Sequence, residues 1–281
     1  MTTAQPAGGD PALPGSWPPE SIAFDRAAGY YDGSRGFPPG VEELVADRVE
    51  EAVGPARRLL EVGAGTGRIA LPLHRRGRQI VGADLSRPML DRYRAKAAAA
   101  ALPPPAVLLA DATRLPFRDA GFDAVLEVHV LHLVPDWELA LAEARRVLAP
   151  GGMIVIGRGG SHRGGDGPRA ETLGRFDELA RDLGGGPRRV GAGDDAQKVQ
   201  ALAALGGTAK SLEPVVWEVE ETYAQALDSI EGRIYSYTWR LPDEVFHTAA
   251  RQLRAEVQAA HPDLDRPHPA SHSFTLTAVR F

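Results

Sequence analysis

The stretch Leu59-Leu60-Glu61-Val62-Gly63-Ala64-Gly65-Thr66-Gly67-Arg68-Ile69-Ala70 constrains this chain more than any other. Apolar and β-branched residues run into three glycines at alternate positions, and a helical pattern follows. A strand ending in such a turn exposes backbone N–H groups and the positive end of a helix, and glycine lets a ligand lie against the backbone. About 17 residues beyond the last glycine stands Asp84, in Ile80-Val81-Gly82-Ala83-Asp84-Leu85-Ser86. A carboxylate at the tip of a second strand is suited to grip a ribose diol. Together the two segments predict a site for a nucleoside-containing ligand. The spacing departs from the dinucleotide fingerprint G-x-G-x-x-G, because Arg68 stands where its third glycine belongs. Glu61 also adds negative charge where phosphates would lie. An acidic, glycine-rich loop suits a ligand with a cationic centre and no phosphates.

The chain has 281 residues, enough for one α/β domain with insertions, and is 43% hydrophobic and 25% charged, as soluble globular proteins are. A formal net charge of −5 without a basic block makes nucleic acid a poor partner. The absence of cysteine excludes a disulfide framework, a thiolate metal site and a cysteine nucleophile. No run approaches the roughly 18 apolar residues of a membrane span, and no basic region followed by an apolar run marks the start, so a cytoplasmic location without membrane partners is expected.

Residues 1–20, rich in Pro, Gly, Ala and Thr, read as a flexible tail. Ser21 can cap a short helix through Ala28, followed by a loop holding Tyr30, Tyr31 and Arg35. The next helix carries Val41, Leu44, Val45, Val49 and Ala52 on one face and stops at Gly54-Pro55. Strands are then expected at 58–62, 79–83, 107–110, 122–128 and 153–157, with helices at 67–75, 87–98 and 137–148. Such alternation predicts a parallel sheet covered on both faces, with the loops after its strands along one ligand-binding edge. Beyond this core of residues 21–158 the pattern changes. Residues 159–207 read as an insertion or lid over the site, with a helix at 171–182 and a flexible link at Gly184-Gly185-Gly186-Pro187. Residues 208–281 complete the same domain. Alternating runs at 212–220 and 273–281 predict an antiparallel, hairpin-like edge, and Val245, Phe246, Ala249, Ala250, Leu253 and Val257 mark a helix between them.

With these elements placed, the glycine loop and its leading Glu61 resemble motif I of the class I S-adenosylmethionine-dependent methyltransferases. Asp84 matches the residue that holds the ribose in that family, and Leu109-Ala110-Asp111-Ala112 resembles its adenine-binding motif. The segment from Phe122 to Trp137 is similar to the fourth-strand motif, and Arg146-Val147-Leu148-Ala149-Pro150-Gly151-Gly152 to the turn before the fifth strand. The similarity is to small-molecule enzymes of the ubiquinone-biosynthesis and arsenite type, and it covers roughly residues 25 to 158. It implies a Rossmann-like, mostly parallel seven-stranded sheet with an antiparallel C-terminal edge, and S-adenosyl-L-methionine as cofactor with S-adenosyl-L-homocysteine as product. It also implies cofactor contacts at Glu61, Gly63, Ala64, Gly65 and Gly67 in the loop, at Asp84, Leu85 and Met89, and at Asp111, Ala112 and Val128. Tyr31 would cover the sulfonium. Arg35 and Arg68 are rivals for the methionyl carboxylate.

The sulfonium already activates the methyl group, so positioning supplies most of the acceleration and a base is optional. His129 and His132, at the end of the fourth strand, are the candidate catalytic bases, and both also fit packing roles. Arg233, Tyr235, Tyr237 and Trp239 form a candidate wall for a small-molecule acceptor. The absence of an Asp-Pro-Pro-Tyr or Asn-Pro-Pro-Tyr sequence argues against adenine or glutamine amino groups as acceptors. His261 and His268 lack metal-ligand spacing and are expected in solvent; no metal is implied. Two other readings stay open: a noncatalytic S-adenosylmethionine-binding protein, and a nicotinamide-dependent oxidoreductase on a similar sheet.

Overall fold

A computed structural model describes residues 22–160, 167–185 and 190–281; the expected tail and the Gly186-Pro187 end of the expected link lie outside these ranges. The first elements are α1 (Tyr31–Arg35), α2 (Val41–Val53), β1 (Arg58–Val62), α3 (Ala70–Arg75), β2 (Gln79–Asp84) and α4 (Arg87–Ala99). Next come β3 (Ala106–Leu109), β4 (Phe122–Val128), α5 (Trp137–Val147), β5 (Leu148–Gly160), α6 (Pro168–Asp182) and α7 (Asp195–Ala204). The chain ends with β6 (Thr208–Ser211), β7 (Val215–Glu221), α8 (Tyr223–Glu231), α9 (Asp243–Ala260) and β8 (His268–Arg280). Local chemistry sets several starts. The Ser86 hydroxyl accepts from the Met89 N–H at the start of α4, and Asp194 and Thr222 cap α7 and α8 in the same way.

The strands form a mostly parallel sheet in the order β3-β2-β1-β4-β5-β8, with β8 antiparallel to β5 and both β6 and β7 antiparallel to β8. The expected seven strands become eight, for a definite reason. β6 and β7 follow each other along one side of β8, and the pairing slips by one residue between Ser211↔Thr277 and Val215↔Phe274. Pro214 lies in the break and cannot donate to the ladder. Seven lateral positions are therefore filled by eight strands. Chain direction reverses outward from β1 and β4, which places the switch-point crevice beyond Val62 and Val128.

One face of the sheet packs on α2, α3 and α4 through residues such as Val45, Val49, Leu73 and Tyr93. The other face packs on α5 and α7 through Leu141, Val147 and Leu202. Helices α6, α8 and α9 share a third core that includes Phe176, Leu227, Phe246 and Leu253. The region expected as one insertion is thus divided: α6 joins the late helices, whereas α7 covers the sheet. Other expectations need correction. A helix, α1, stands where a loop was expected. Before it, among the described residues, there is only a single 3-10 turn at Asp25–Ala27. α3 starts at Ala70 and not at residue 67, because Gly67 has φ +77°. Leu44 is 52% exposed, off the buried face of α2. His261 stacks on Tyr223 at 3.7 Å and His268 meets the same ring edge-on at 5.2 Å, so neither is simply solvated.

Candidate functional site

The loop after β1 is held against β2 by its own backbone. The N–H groups of Gly63 and Ala64 both donate to the Ala83 carbonyl, at 2.8 and 3.1 Å. Gly63 has φ +73°, and a Cβ there would lie 2.6 Å from Val130; Gly67 has φ +77° and a Cβ would fall 2.4 Å from the Tyr93 ring. Both positions combine a left-handed backbone with close packing, which only glycine satisfies. Asp84 completes the turn: Oδ2 accepts the Gly65 N–H and Oδ1 the Ser86 N–H, each at 2.8 Å. Burial raises the Asp84 pKa against these N–H groups, which pull it down.

The third-strand loop is fixed from the opposite side. Asp111 is buried, and its Oδ1 accepts from both the backbone and the hydroxyl of Thr113. Glu143 of α5 accepts the Leu115 N–H, while Arg146 donates to the carbonyls of Leu115 and Phe117. Above the glycine loop, α1 is docked by Asp32, whose carboxylate accepts from the Thr66 hydroxyl at 2.6 Å and pairs with Lys96 at 2.9 Å. That docking carries Tyr31 and Arg35 to the crevice.

Three contiguous cavities open there. The first, of ≈ 80 Å³, is lined by Gly63, Gly65, Asp84, Leu85, Met89, Asp111, Ala112, Val128, Tyr31 and His129, with Ile22 and Phe24 narrowing it. The second, of ≈ 430 Å³, shares Phe24, Tyr31 and His129 with the first and adds Arg35, Arg68, His132, Arg169, Trp217, Glu221, Tyr235, Tyr237 and His272. The third, of ≈ 290 Å³, shares Arg35, His129, His132, Tyr235 and Tyr237 with the second and reaches Lys198.

Several expected residues lie elsewhere. Glu61, Ala64 and Gly67 line none of the three cavities; they shape the loop from beneath. Glu61 is buried, and burial pushes its carboxyl up to about 8 against the Arg68 charge and the Ala70 N–H. Arg233 turns away, pairing with Asp243 at 2.8 Å and lying 3.8 Å over Phe246. Trp239 donates its indole N–H to the Arg233 carbonyl at 2.6 Å and stacks with Phe24, outside the cavities. Tyr235 and Tyr237 do face the cleft.

The two arginines both line the second cavity, and Arg35 also lines the third. Arg68 lies 4.6 Å over Phe37 and donates from Nη1 to the Arg35 carbonyl, while its Nη2 is buried without a partner. Arg35 lies 4.7 Å over Tyr235, and burial lowers its pKa. His129 has φ +54°, and its Nε2 accepts the Gly159 N–H at 2.8 Å. Burial first, then Arg68, His132 and Arg35, hold its pKa well below the ordinary value. The basic lone pair is therefore occupied and a proton on it disfavoured, so His129 is a poor base here. Its neutral ring carries the proton on Nδ1. Arg169, Trp217, Glu221 and His272 were missed by the sequence reading, although Glu221 and His272 each break an inward-facing apolar alternation on a late strand.

Residues 60–156 match a family model described as a methyltransferase domain. An uncharacterised methyltransferase of Mycobacterium tuberculosis is 29% identical over 261 residues, covering 92% of this chain and 95% of that protein. Demethylmenaquinone methyltransferase of Thermus thermophilus is 46% identical over 102 residues; the match spans 36% of this chain and a little under half, 46%, of that enzyme. The YcgJ protein of Bacillus subtilis shares the fold, with a TM-score of 0.56 at 17% identity over 85% of this chain and 97% of that one. The glycine loop, the two strand-tip carboxylates and these relatives lead to one conclusion: residues 60–156 form a domain of the S-adenosylmethionine-dependent methyltransferase kind.

Proposed function

We propose that the first cavity takes the adenosyl part of S-adenosylmethionine and that the second takes the methyl acceptor, with Tyr31 and His129 at the junction. In this reading Asp84 accepts the ribose hydroxyls with its remaining lone pairs, Asp111 meets the adenine amine, and the Gly63–Gly65 backbone lies under the nucleoside. Arg68 and Arg35 take the methionyl carboxylate, since neither guanidinium forms an ion pair among the described residues and Arg68 Nη2 is buried without a partner. The observation that carries the proposal is the sharing of Tyr31 and His129 by the narrow first cavity and the wider second one. A sulfonium placed at that junction presents its methyl to whatever fills the larger space, and alignment is the main requirement of the chemistry. The first cavity is smaller than the roughly 300 Å³ at which ligand pockets begin, so Ile22 and Phe24 move outward on binding.

The lining of the second cavity describes the acceptor. Phe37, Trp217, Tyr235 and Tyr237 supply flat apolar walls, and Arg169 is already paired with Glu221. A small, planar molecule with an oxygen able to carry negative charge fits that mixture. Calorimetric titration with S-adenosylhomocysteine tests the cofactor half: micromolar binding is expected, with a loss of about ten-fold or more in Asp84→Ala while the fold persists. Absence of binding at millimolar ligand, or an unchanged affinity in Asp84→Ala, overturns the placement.

A further inference from the structure

The second cavity holds a histidine–carboxylate pair on the late strands, far in sequence from the glycine loop. His272 of β8 places Nε2 2.9 Å from Oε1 of Glu221 on β7. Both side chains are nearly buried, at 11% and 7% exposure, and both line the cavity. Glu221 is anchored from α6: its Oε2 accepts the Arg169 backbone N–H at 3.0 Å, and Arg169 Nε lies 3.5 Å from Oε1. Gly167 makes that approach possible, because a Cβ there would lie 2.8 Å from Ala270 and 3.4 Å from Glu221 Oε2. Burial alone would raise the Glu221 carboxyl, but the hydrogen bonds from His272 and from the Arg169 backbone, with the Arg169 charge, hold it below its ordinary value. An ionised carboxylate only accepts, so Nε2 of His272 carries a proton, and in the neutral ring Nδ1 is the nitrogen with the basic lone pair.

The surroundings suit a reaction. Trp217, the register partner of His272, packs against the imidazole at 5.8 Å, and its indole N–H is buried without a partner. The Tyr235 hydroxyl and Arg68 Nη2, from residues lining the same cavity, are likewise buried without partners. The charged groups set around His272 are Glu221 from β7 and Arg169 from α6, with Glu220, Arg35 and Arg68 also lining the cavity. This is the reverse of His129, whose lone pair is taken by a backbone N–H and whose neighbours are cationic.

We propose that His272, oriented by Glu221, is the general base for methyl transfer, and that the acceptor is a hydroxyl compound, in particular a phenol, whose proton must leave as the methyl arrives. The proposal rests on the reading of the second cavity as the acceptor site. In the step, Nδ1 removes the acceptor's O–H proton and the oxygen lone pair forms the new C–O bond to the methyl carbon. The C–S bond breaks with its electron pair left on sulfur, which yields the neutral thioether. The imidazolium is stabilised by Glu221 and returns its proton to water once product has left. A histidine base of this kind typically contributes about a hundred-fold or more to rate.

The test uses the full chain, nitrogen-labelled and saturated with S-adenosylhomocysteine, and para-nitrophenol as the probe, since its absorbance reports its own ionisation. The bound probe is expected to ionise about one pH unit lower than in water, and nitrogen NMR is expected to show His272 changing from the Nε2–H neutral form to imidazolium as the probe binds. His272→Gln should remove the shift in probe ionisation, and Glu221→Gln should suppress the imidazolium. A His272 ring that stays neutral in the complex, an unchanged shift in His272→Gln, or no probe binding to the loaded protein overturns the proposal. If His272→Gln does not fold, the wild-type nitrogen spectrum and Glu221→Gln decide. S-adenosylhomocysteine binding measured on every protein separates the two readings: a wild type that does not bind it sinks the cofactor placement, whereas normal binding with a silent His272 sinks only the base.

Discussion

At the end of the cleft proposed for the cofactor, the framework is local. The N–H groups of Gly63, Ala64 and Gly65 tie the turn to Ala83 and Asp84 within a single strand–loop–helix unit, and Asp84 and Asp111 stand at the tips of the neighbouring strands. At the acceptor end the polar groups come from longer side chains drawn from remote elements: Arg35 on α1, Arg68 in the glycine loop, Arg169 on α6, Glu221 on β7 and His272 on β8. The first kind of site follows once a βαβ unit forms, because the turn and its strand-tip carboxylate hold each other in place. The second exists only when distant parts have docked, so it is open to variation without disturbing the sheet.

The two ends also rest on matched buried carboxyls, and the largest expected effect is theirs. Glu61 pairs with Leu126 across β1 and β4, whereas Glu127 pairs with Val62, so the two side chains lie on opposite faces of the sheet. Burial raises each to about 8, opposed by Arg68 and an Ala70 N–H for Glu61 and by Lys198 for Glu127. A folded pKa above the ordinary 4.5 means that the folded state holds the proton more tightly. Their contribution is therefore complete below about pH 4.5 and lost as pH rises toward 8. Denaturant titrations of the wild type should show stability falling by on the order of 4 kcal/mol per group between about pH 5 and pH 8. Glu127→Gln should flatten its share of that slope. A slope unchanged by the substitution would break the symmetry drawn between the two faces.

The next effect belongs to the cofactor end alone. In Gly67→Ala the new methyl meets Tyr93 at 2.4 Å on a backbone at φ +77°. Left-handed strain and overpacking together should cost about 3 kcal/mol, read as a lowered Tm, and S-adenosylhomocysteine binding should weaken with it. A stable, fully binding Gly67→Ala would show that the loop tolerates side chains and that its glycines were misread.

The difference between the two ends also explains what was legible in the sequence. Strands β1 and β4 were placed to the residue, because β1 runs into Gly63 and β4 starts directly after Gly121. β6 was invisible since all four of its residues are exposed, leaving no alternation to read. α7 buries only Lys198 and Leu202 and so has a weak apolar stripe, and α1 contains Gly33 and Ser34, whose intrinsic preference is not helical. α1 forms because Asp32 is tied to Thr66 and Lys96, a contact with no local signature. In the site, the loop glycines, Asp84 and Asp111 could be read in order from one another. Glu221 and His272 lie 51 positions apart and meet only through β7–β8 pairing. A local signal did exist: Glu221 continues the inward face of Val215, Trp217 and Val219, and a charged residue on such a face asks for a partner.

Arg68 comes from the glycine loop yet lines the second cavity, and removing its charge measures how sharply the two ends divide. Arg68→Met keeps an unbranched stem while deleting the guanidinium that lies over Phe37. If that group holds the methionyl carboxylate, affinity for S-adenosylhomocysteine should drop by about 1.5–3 kcal/mol, roughly ten- to hundred-fold, with little change for methylthioadenosine, which lacks the carboxylate. Equal losses for both ligands would instead give Arg68 a structural part in shaping the loop, and Arg35 would then be the residue to examine.

The smallest effect concerns a residue that composition alone placed in the acceptor wall. Trp239 lies in the 3-10 turn at Ser236–Arg240, near Tyr235 and Tyr237 in sequence, yet its ring faces Phe24 at 5.0 Å and Arg26 at 5.5 Å. Its one polar atom donates at 2.6 Å to the carbonyl of Arg233, which itself has φ +49°. Trp239→Phe keeps the aromatic contact and deletes that hydrogen bond, so a loss of about 1 kcal/mol in stability is expected from the unpaired carbonyl and the bond itself. Binding of para-nitrophenol to the loaded protein should stay within about two-fold, because the ring lines none of the three cavities. A larger loss of probe affinity than of stability would move the acceptor wall outward to Trp239 and blur the boundary between a site built by docked side chains and the turn that supports it.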